Sequence, residues 1–317
     1  MKFSLLTVTY SGLFYGGQHL TIEDQLHKAK GFGFDALSIE TKSPIGSPVD
    51  LSKQERASIR QLASDLGIAL APLESMSNFS SVIMEERDNN FAMMRMVLDL
   101  AKDLGIDTVK VFAAWPGIMD QEDDYAIYAP YERGSHFKRL YAADLRKWDR
   151  AVKGLQRVCD WAADLGIDLA IQNHAPVVTP GYEDLVAMHD EVGKSNLKFC
   201  LDVPLFLERQ SEAYINEAVA ACGNRIALTH YGTWNFAEQD GVIVQNPAPA
   251  FGAQINYKDY FTALYKNGFD GYIVSESCAP IINAHRLGTI DDVDYGVAIT
   301  LKYMKSMVEE IKSQNPV

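Results

Sequence analysis

A chain of 317 residues that is 47% hydrophobic and 22% charged has the composition of a folded globular protein, which excludes a disordered or fibrous one. Its 29 Lys and Arg against 42 Asp and Glu leave a net charge of −13, which repels phosphate backbones and argues against a nucleic-acid partner. No run approaches the ~18 apolar residues of a membrane span, and the N-terminal stretch lacks a leader's apolar core, so no membrane partner is expected and the cytoplasm is the expected compartment.

Short apolar or β-branched runs predict strands at 3–9, 35–40, 68–74, 108–114, 168–173, 197–202, 225–230 and 271–276. Helical patterns fall at about 21–31, 51–66, 87–104, 145–165, 181–192, 208–222, 257–267 and 291–313. In the second of these, Ile59, Leu62, Ala63 and Leu66 share one face and Gly67 follows as a stop. The same ending recurs at Gly105 and Gly166, each time with Ile opening the next strand. This is the joint of a repeated βα unit. Eight such units predict an α/β fold, a single (β/α)8 TIM barrel over 1–317. An open doubly wound sheet fits less well, because no GxGxxG follows the first strand. Two long connections interrupt the repeat, at about 115–144 and at 231–256. Cys159, Cys200, Cys222 and Cys278 form no CxxC pair and read as small core residues.

In such a barrel the chemistry gathers at the C-terminal ends of the strands. Strands two and three end at Glu40 and Glu74, strand five at Gln172-Asn173-His174, strand six at Asp202, strand seven at His230 and strand eight at Glu276. Any one of these reads equally as the start of a solvated loop. Four in succession around the barrel, Gln172, Asp202, His230 and Glu276, offer oxygen donors and one imidazole, a mixed hard set suited to a divalent ion. Such an ion also offsets the repulsion between neighbouring buried carboxylates.

The pattern IQNH, LDVP, LTHYG and VSES, in that order and spacing, resembles the sugar isomerase/epimerase superfamily of xylose-isomerase-like barrels. That superfamily includes ketose 3-epimerases, inosose dehydratase and the catalytic subunits of C-glycoside deglycosidases. The resemblance implies one divalent metal ion, Mn²⁺ foremost, with Mg²⁺, Co²⁺ or Zn²⁺ as alternatives. It implies the ligands Gln172, Asp202, His230 and Glu276. It departs at strand five, where the family has Glu and this chain has Gln172, a neutral amide that cannot accept a proton. In the 3-epimerases two Glu ligands face opposite sides of the substrate carbon. Here only Glu276 remains as a base of that kind, and His174, two residues past Gln172 on the same side of the strand, is the leading second acid/base, with an Asn173-His174 loop pair bonded to backbone as the alternative reading.

The implied activity is that of an isomerase or epimerase. It would abstract the α-proton of a sugar or keto-sugar and pass through a metal-stabilised enediolate. No glycine cradle follows strands seven and eight, so a non-phosphorylated substrate is expected. Glu40, Glu74, Lys110, Tyr10, Trp115 and Trp234 are the candidate substrate contacts. Lys110 reads equally as pointing into the barrel or lying along its outside. Half of the aromatic residues near the mouth, which include Phe14, Tyr15, Tyr231 and Phe236, read as packing. A lyase of the same superfamily is the first alternative, because elimination needs only one base. A non-catalytic sugar-binding or partner subunit is the second. An apurinic endonuclease would need more His ligands and a basic groove. The expected partners are a carbohydrate substrate and a second copy of the chain, or a different subunit if it is a deglycosidase component.

Overall fold

The computed structural model describes residues 1–81, 83–114, 146–174, 179, 181–206, 209–232, 236–246 and 254–315. The connection expected at 115–144 falls outside them, as do Trp115 and Trp234. Eight parallel strands close a barrel: β1 (Lys2–Leu6), β2 (Ala36–Glu40), β3 (Ala69–Glu74), β4 (Thr108–Val111), β5 (Asp168–Gln172), β6 (Leu197–Cys200), β7 (Ile226–Gly232) and β8 (Tyr272–Glu276). Each pairs with its neighbours in chain order, and β8 closes on β1 with Lys2 beside Tyr272 and Ser4 beside Val274. Among the described residues the α-helices are α1 (Ile22–Phe32), α2 (Lys53–Leu66), α3 (Met84–Leu104), α4 (Arg146–Ala163), α5 (Tyr182–Val192), α6 (Glu212–Cys222), α7 (Tyr257–Lys266) and α8 (Ile290–Gln314). No helix among the described residues is long and apolar enough to cross a membrane.

Side chains alternate along each strand, and the two sides meet different partners. Leu5, Leu37, Ile39, Leu73, Val109, Leu169, Ile171, Phe199 and Ile273 pack outward against the helices. Leu6, Val8, Ala170, Cys200, Leu228 and Val274 form a second cluster, inside the barrel. The inward side then turns polar towards the C-terminal ends: two residues past Ala170 is Gln172, past Cys200 is Asp202, past Leu228 is His230 and past Val274 is Glu276. At the opposite end Ser4 and Ser38 hydroxyls lie 2.7 Å apart and both donate to Ala71 O.

The helix limits follow local chemistry. Ser52 caps α2, its Oγ accepting from Glu55 N while the Glu55 carboxylate accepts from Ser52 N. Gly67 and Gly105 end α2 and α3 at φ 64° and 75°, a left-handed turn that a side chain disfavours. The helix expected from 208 begins at Glu212, because Ser211 caps it through Tyr214 N. Strands expected to reach 114 and 202 stop at Val111 and Cys200, where side chains take over the backbone groups. Ser77 Oγ exchanges hydrogen bonds with Phe112 N and O, and Asn173 Oδ1 accepts from Asp202 N. The connection expected at 231–256 contains an antiparallel hairpin, Phe236–Gln239 with Val242–Gln245, turned at Asp240-Gly241, both with positive φ.

Candidate active site

Strands β3 to β8 bring a band of polar side chains to the C-terminal end of the barrel. Glu74, Lys110, Gln172, Asp202 and His230 are all buried there, and Glu276 is partly buried. His230 is at the centre. Its Nε2 lies 3.1 and 3.0 Å from the two Glu74 oxygens, and its Nδ1 lies 2.9 Å from Asp202 Oδ2. Burial opposes a charge on His230, but Asp202 and Glu74 outweigh it and raise the imidazole well above its ordinary pKa. With a carboxylate at each ring nitrogen, His230 is held as an imidazolium that donates to both.

Asp202 is the most heavily bonded group. Its Oδ2 accepts from Gln172 Nε2 at 2.6 Å, and its Oδ1 accepts from His230 N at 2.8 Å and from Cys200 Sγ at 3.5 Å. Burial would raise its pKa, yet the His230 charge and these donors hold it down to about 2. The Gln172-Asn173 pair at the end of β5 works as a two-part clamp on Asp202, just past β6. Gln172 grips the Asp202 carboxylate, while Asn173 pairs with Asp202 N at 2.7 Å and with Asp202 O at 3.2 Å. The backbone-bonded reading of the Asn173-His174 pair holds for Asn173, though its partner, the backbone of Asp202, leaves no pattern in side-chain types.

Lys110 points into the barrel, which decides between its two readings. Its Nζ lies 3.5 Å from Glu74 Oε2 and 4.2 Å from the centre of the Phe112 ring. Burial disfavours its charge, but Glu74 foremost, with Cys200, Glu40 and Glu276, keeps it an ammonium. Glu74 is likewise kept ionised against burial by His230 and Lys110. Glu276 goes the other way. Burial raises its pKa, and the Glu74 and Asp202 charges add to the effect of burial, against His230 and Lys110. The Phe112 ring also meets His174 edge-on at 5.5 Å, so His174 and Lys110 share one aromatic neighbour.

Other expected contacts stand elsewhere. Glu40, partly buried, pairs with Lys42 at 3.0 Å at the edge of the band, where its charge also reaches Lys110. Tyr10 is fully buried, with its hydroxyl on Asp294 at 2.6 Å and Lys28 over its ring, so it braces α8 and is not brought to the polar band. Tyr15, Tyr231 and Phe236 are buried too, which makes them packing residues. Cys159 and Cys222 are buried as expected, while Cys278 is exposed. Cys200 departs from its reading as a plain core residue: its Sγ lies 3.4 Å from His230 Nδ1. The available signal was its place two residues before Asp202, on the same side of the strand.

This donor set fits a divalent cation. The ligand atoms of Cys200, Asp202 and His230 lie within 4.8 Å of one another, a group that does not include Glu276. Gln172 Oε1 is buried without a hydrogen-bond partner, an arrangement that costs about 1–3 kcal/mol and that a cation relieves. An imidazole that ligates through Nδ1 would give its Nε2–H to a carboxylate, and Glu74 stands at that nitrogen.

The chain is 28% identical to D-psicose 3-epimerase of Agrobacterium fabrum over 221 residues, 66% of this chain and 67% of that one. It superposes on the crystal structure of D-psicose 3-epimerase in the presence of D-fructose with a TM-score of 0.71 and 20% identity, over 97% of this chain and 99% of that one. L-Ribulose 3-epimerase follows with a TM-score of 0.70 and 14% identity, over 99% and 96% of the two chains. At these identities the two structural matches are matches of fold. A model of the family described as xylose isomerase-like TIM barrel matches residues 26–298, and the chain belongs to that family.

Proposed function

We propose that the chain is a metal-dependent sugar epimerase that moves the configuration of a carbon beside the carbonyl of a non-phosphorylated keto-sugar. The observation that carries this reading is Glu276. It is a carboxylate at the end of β8, made more basic by burial, and it faces the charges of His230, Glu74 and Lys110. The ketose 3-epimerase relatives support it.

Asp202 and His230, with Gln172 and Glu276, would hold the divalent ion, which when bound polarises the substrate carbonyl and so acidifies the neighbouring C–H. Glu276 removes that proton. Gln172 has no lone pair basic enough to carry a proton back from the other face. His174 takes that role, next to the Phe112 ring that also packs on Lys110. Lys110 remains cationic and offers N–H donors to a substrate oxygen.

The test is incubation with D-psicose, D-fructose and L-ribulose in heavy water, with Mn²⁺ supplied. Deuterium is expected at the carbon next to the carbonyl, together with the epimer. Glu276→Gln is expected to abolish both, and retained exchange in that variant would remove Glu276 as the base. The lyase reading rests on Gln172, which leaves the site one carboxylate short of two opposed bases. Deuterium exchange with 3-oxo-glycosides accompanied by release of the leaving group, in place of an epimer, would select it.

A further inference from the structure

We propose that Cys200 is a ligand of the metal ion. The site then takes a thiophilic divalent ion of the zinc and cobalt class, in place of the hard Mn²⁺ or Mg²⁺ that carboxylate donors alone would select. The proposal rests on the metal-dependent reading of this site and concerns which atoms hold the ion.

Three observations carry it. Cys200 and Asp202 are two residues apart at the end of β6, so one strand delivers both to the barrel axis. Cys200 Sγ lies 3.4 Å from His230 Nδ1 and 3.5 Å from Asp202 Oδ1. Zinc bonds of about 2.3 Å to sulfur and about 2.0–2.1 Å to nitrogen or oxygen, set at the tetrahedral angle, hold ligand atoms about 3.3–3.6 Å apart. The edge from sulfur to Nδ1 therefore already has the span of a tetrahedral centre, while Asp202 faces the sulfur with Oδ1 and the imidazole with Oδ2. The edge from His230 Nδ1 to Asp202 Oδ2, 2.9 Å, is shorter because a proton now bridges it. Gln172 faces Asp202 Oδ2 and His230 Nδ1 with its Nε2, and its Oε1 is buried and unpartnered, so turning the amide over offers that oxygen to the ion.

The charge balance points the same way. A neutral amide at Gln172 removes one hard, charged donor, and a thiolate restores the charge in soft form. Thiolate and imidazole favour zinc and cobalt, whereas carboxylate and water favour magnesium and manganese. On binding, the sulfur–metal bond forms as the Sγ–H proton leaves to solvent and the Nδ1–metal bond forms as the Nδ1 proton of His230 leaves, and the ion keeps its oxidation state.

Cobalt is the probe for the full-length chain. One Co²⁺ per chain is expected, with a sulfur-to-cobalt charge-transfer band in the near ultraviolet. Cys200→Ser is expected to lose the band and about 10–100-fold in Co²⁺ and Zn²⁺ affinity, with little change for Mn²⁺. Because that variant alters a packed interior, X-ray absorption of the zinc-loaded wild type gives an independent readout: a sulfur shell at about 2.3 Å. Bound metal with no sulfur shell and no band would overturn the proposal and leave a hard metal site. A band that survives Cys200→Ser but is lost in Cys278→Ser would overturn it as well. Failure to bind Co²⁺, Zn²⁺ or Mn²⁺ would overturn both the proposal and the metal-dependent reading beneath it.

Discussion

Glu74 embraces His230. Both of its carboxylate oxygens lie within 3.1 Å of the imidazole Nε2, although the two residues come from strands on different sides of the barrel. This contact assigns the ring nitrogens their tasks. Nε2 keeps its proton for Glu74, and Nδ1 is turned towards Asp202, Gln172 and Cys200.

Glu74→Ala is therefore expected to weaken divalent-metal binding by about 10–100-fold, because the ring loses the partner that fixes its tautomer and orientation. Glu74→Gln keeps an acceptor oxygen for Nε2–H and should retain most of the affinity. Isothermal titration of both variants checks this. Nitrogen-15 shifts of His230 report the tautomer directly. A Glu74→Ala protein that binds metal like the wild type would reduce Glu74 to a structural neighbour.

Gln172→Glu should act in opposite directions on the two forms of the protein. In the metal-free form a carboxylate there loses the N–H that Asp202 accepts at 2.6 Å and faces the Asp202 charge, so the melting temperature should fall. With a divalent ion the same charge attracts, and binding should tighten by about tenfold or more, which corresponds to ~1.4 kcal/mol. Melting curves with and without Mn²⁺ check both signs. An unchanged metal-induced shift would mean that Gln172 does not ligate.

Much of this was legible in the chain, for physical reasons. The barrel was readable because helix and strand periods alternate eight times and the helix ends repeat a Gly-Ile joint, as at Gly67-Ile68 and Gly105-Ile106. Gln172, Asp202, His230 and Glu276 were readable because strand ends are where inward side chains turn polar. The linkage of Glu74 and Lys110 to His230 was not. Contacts across a barrel depend on tilt and register, which no local pattern records, so the sequence leaves Lys110 open and offers Glu74 only as a substrate contact. Cys200 is a buried core residue as its composition implies, but its contact with His230 was not legible, because a buried thiol has the same composition signal whether or not it meets an imidazole. Tyr10 was misplaced for the converse reason: an aromatic ring after strand one fits a sugar platform and a helix brace equally well.

The Lys110–Glu74 pair is buried on both sides, so its members should depend on each other. Lys110→Met in the metal-free protein leaves the Glu74 charge facing only His230 and should cost on the order of 3 kcal/mol. Adding Glu74→Gln removes that stranded charge, and the double variant should recover a large part of the loss. Denaturant unfolding of the two single variants and the double one closes the cycle. Additive losses would show that the two side chains are not coupled.

Acid stability offers a prediction away from the site. Asp292 closes the cap of α8: its carboxylate accepts from Thr289 N at 2.7 Å, from Thr289 Oγ1 at 3.0 Å and from Asn283 Nδ2 at 2.7 Å. The backbone N–H and hydroxyl of Thr289 are what lower its pKa below the ordinary 3.8. A carboxyl whose pKa is lower folded than unfolded stabilises the fold above its unfolded value, and that stability is lost as the pH falls through the folded value. Asp292→Asn should therefore melt below the wild type by a constant margin at neutral and mildly acidic pH. The margin should shrink below about pH 3.8 and vanish once Asp292 is protonated in the wild type. Melting curves of the two proteins across that window measure it. A margin that stays constant into strong acid would mean that the cap works through shape alone, independent of the carboxylate charge.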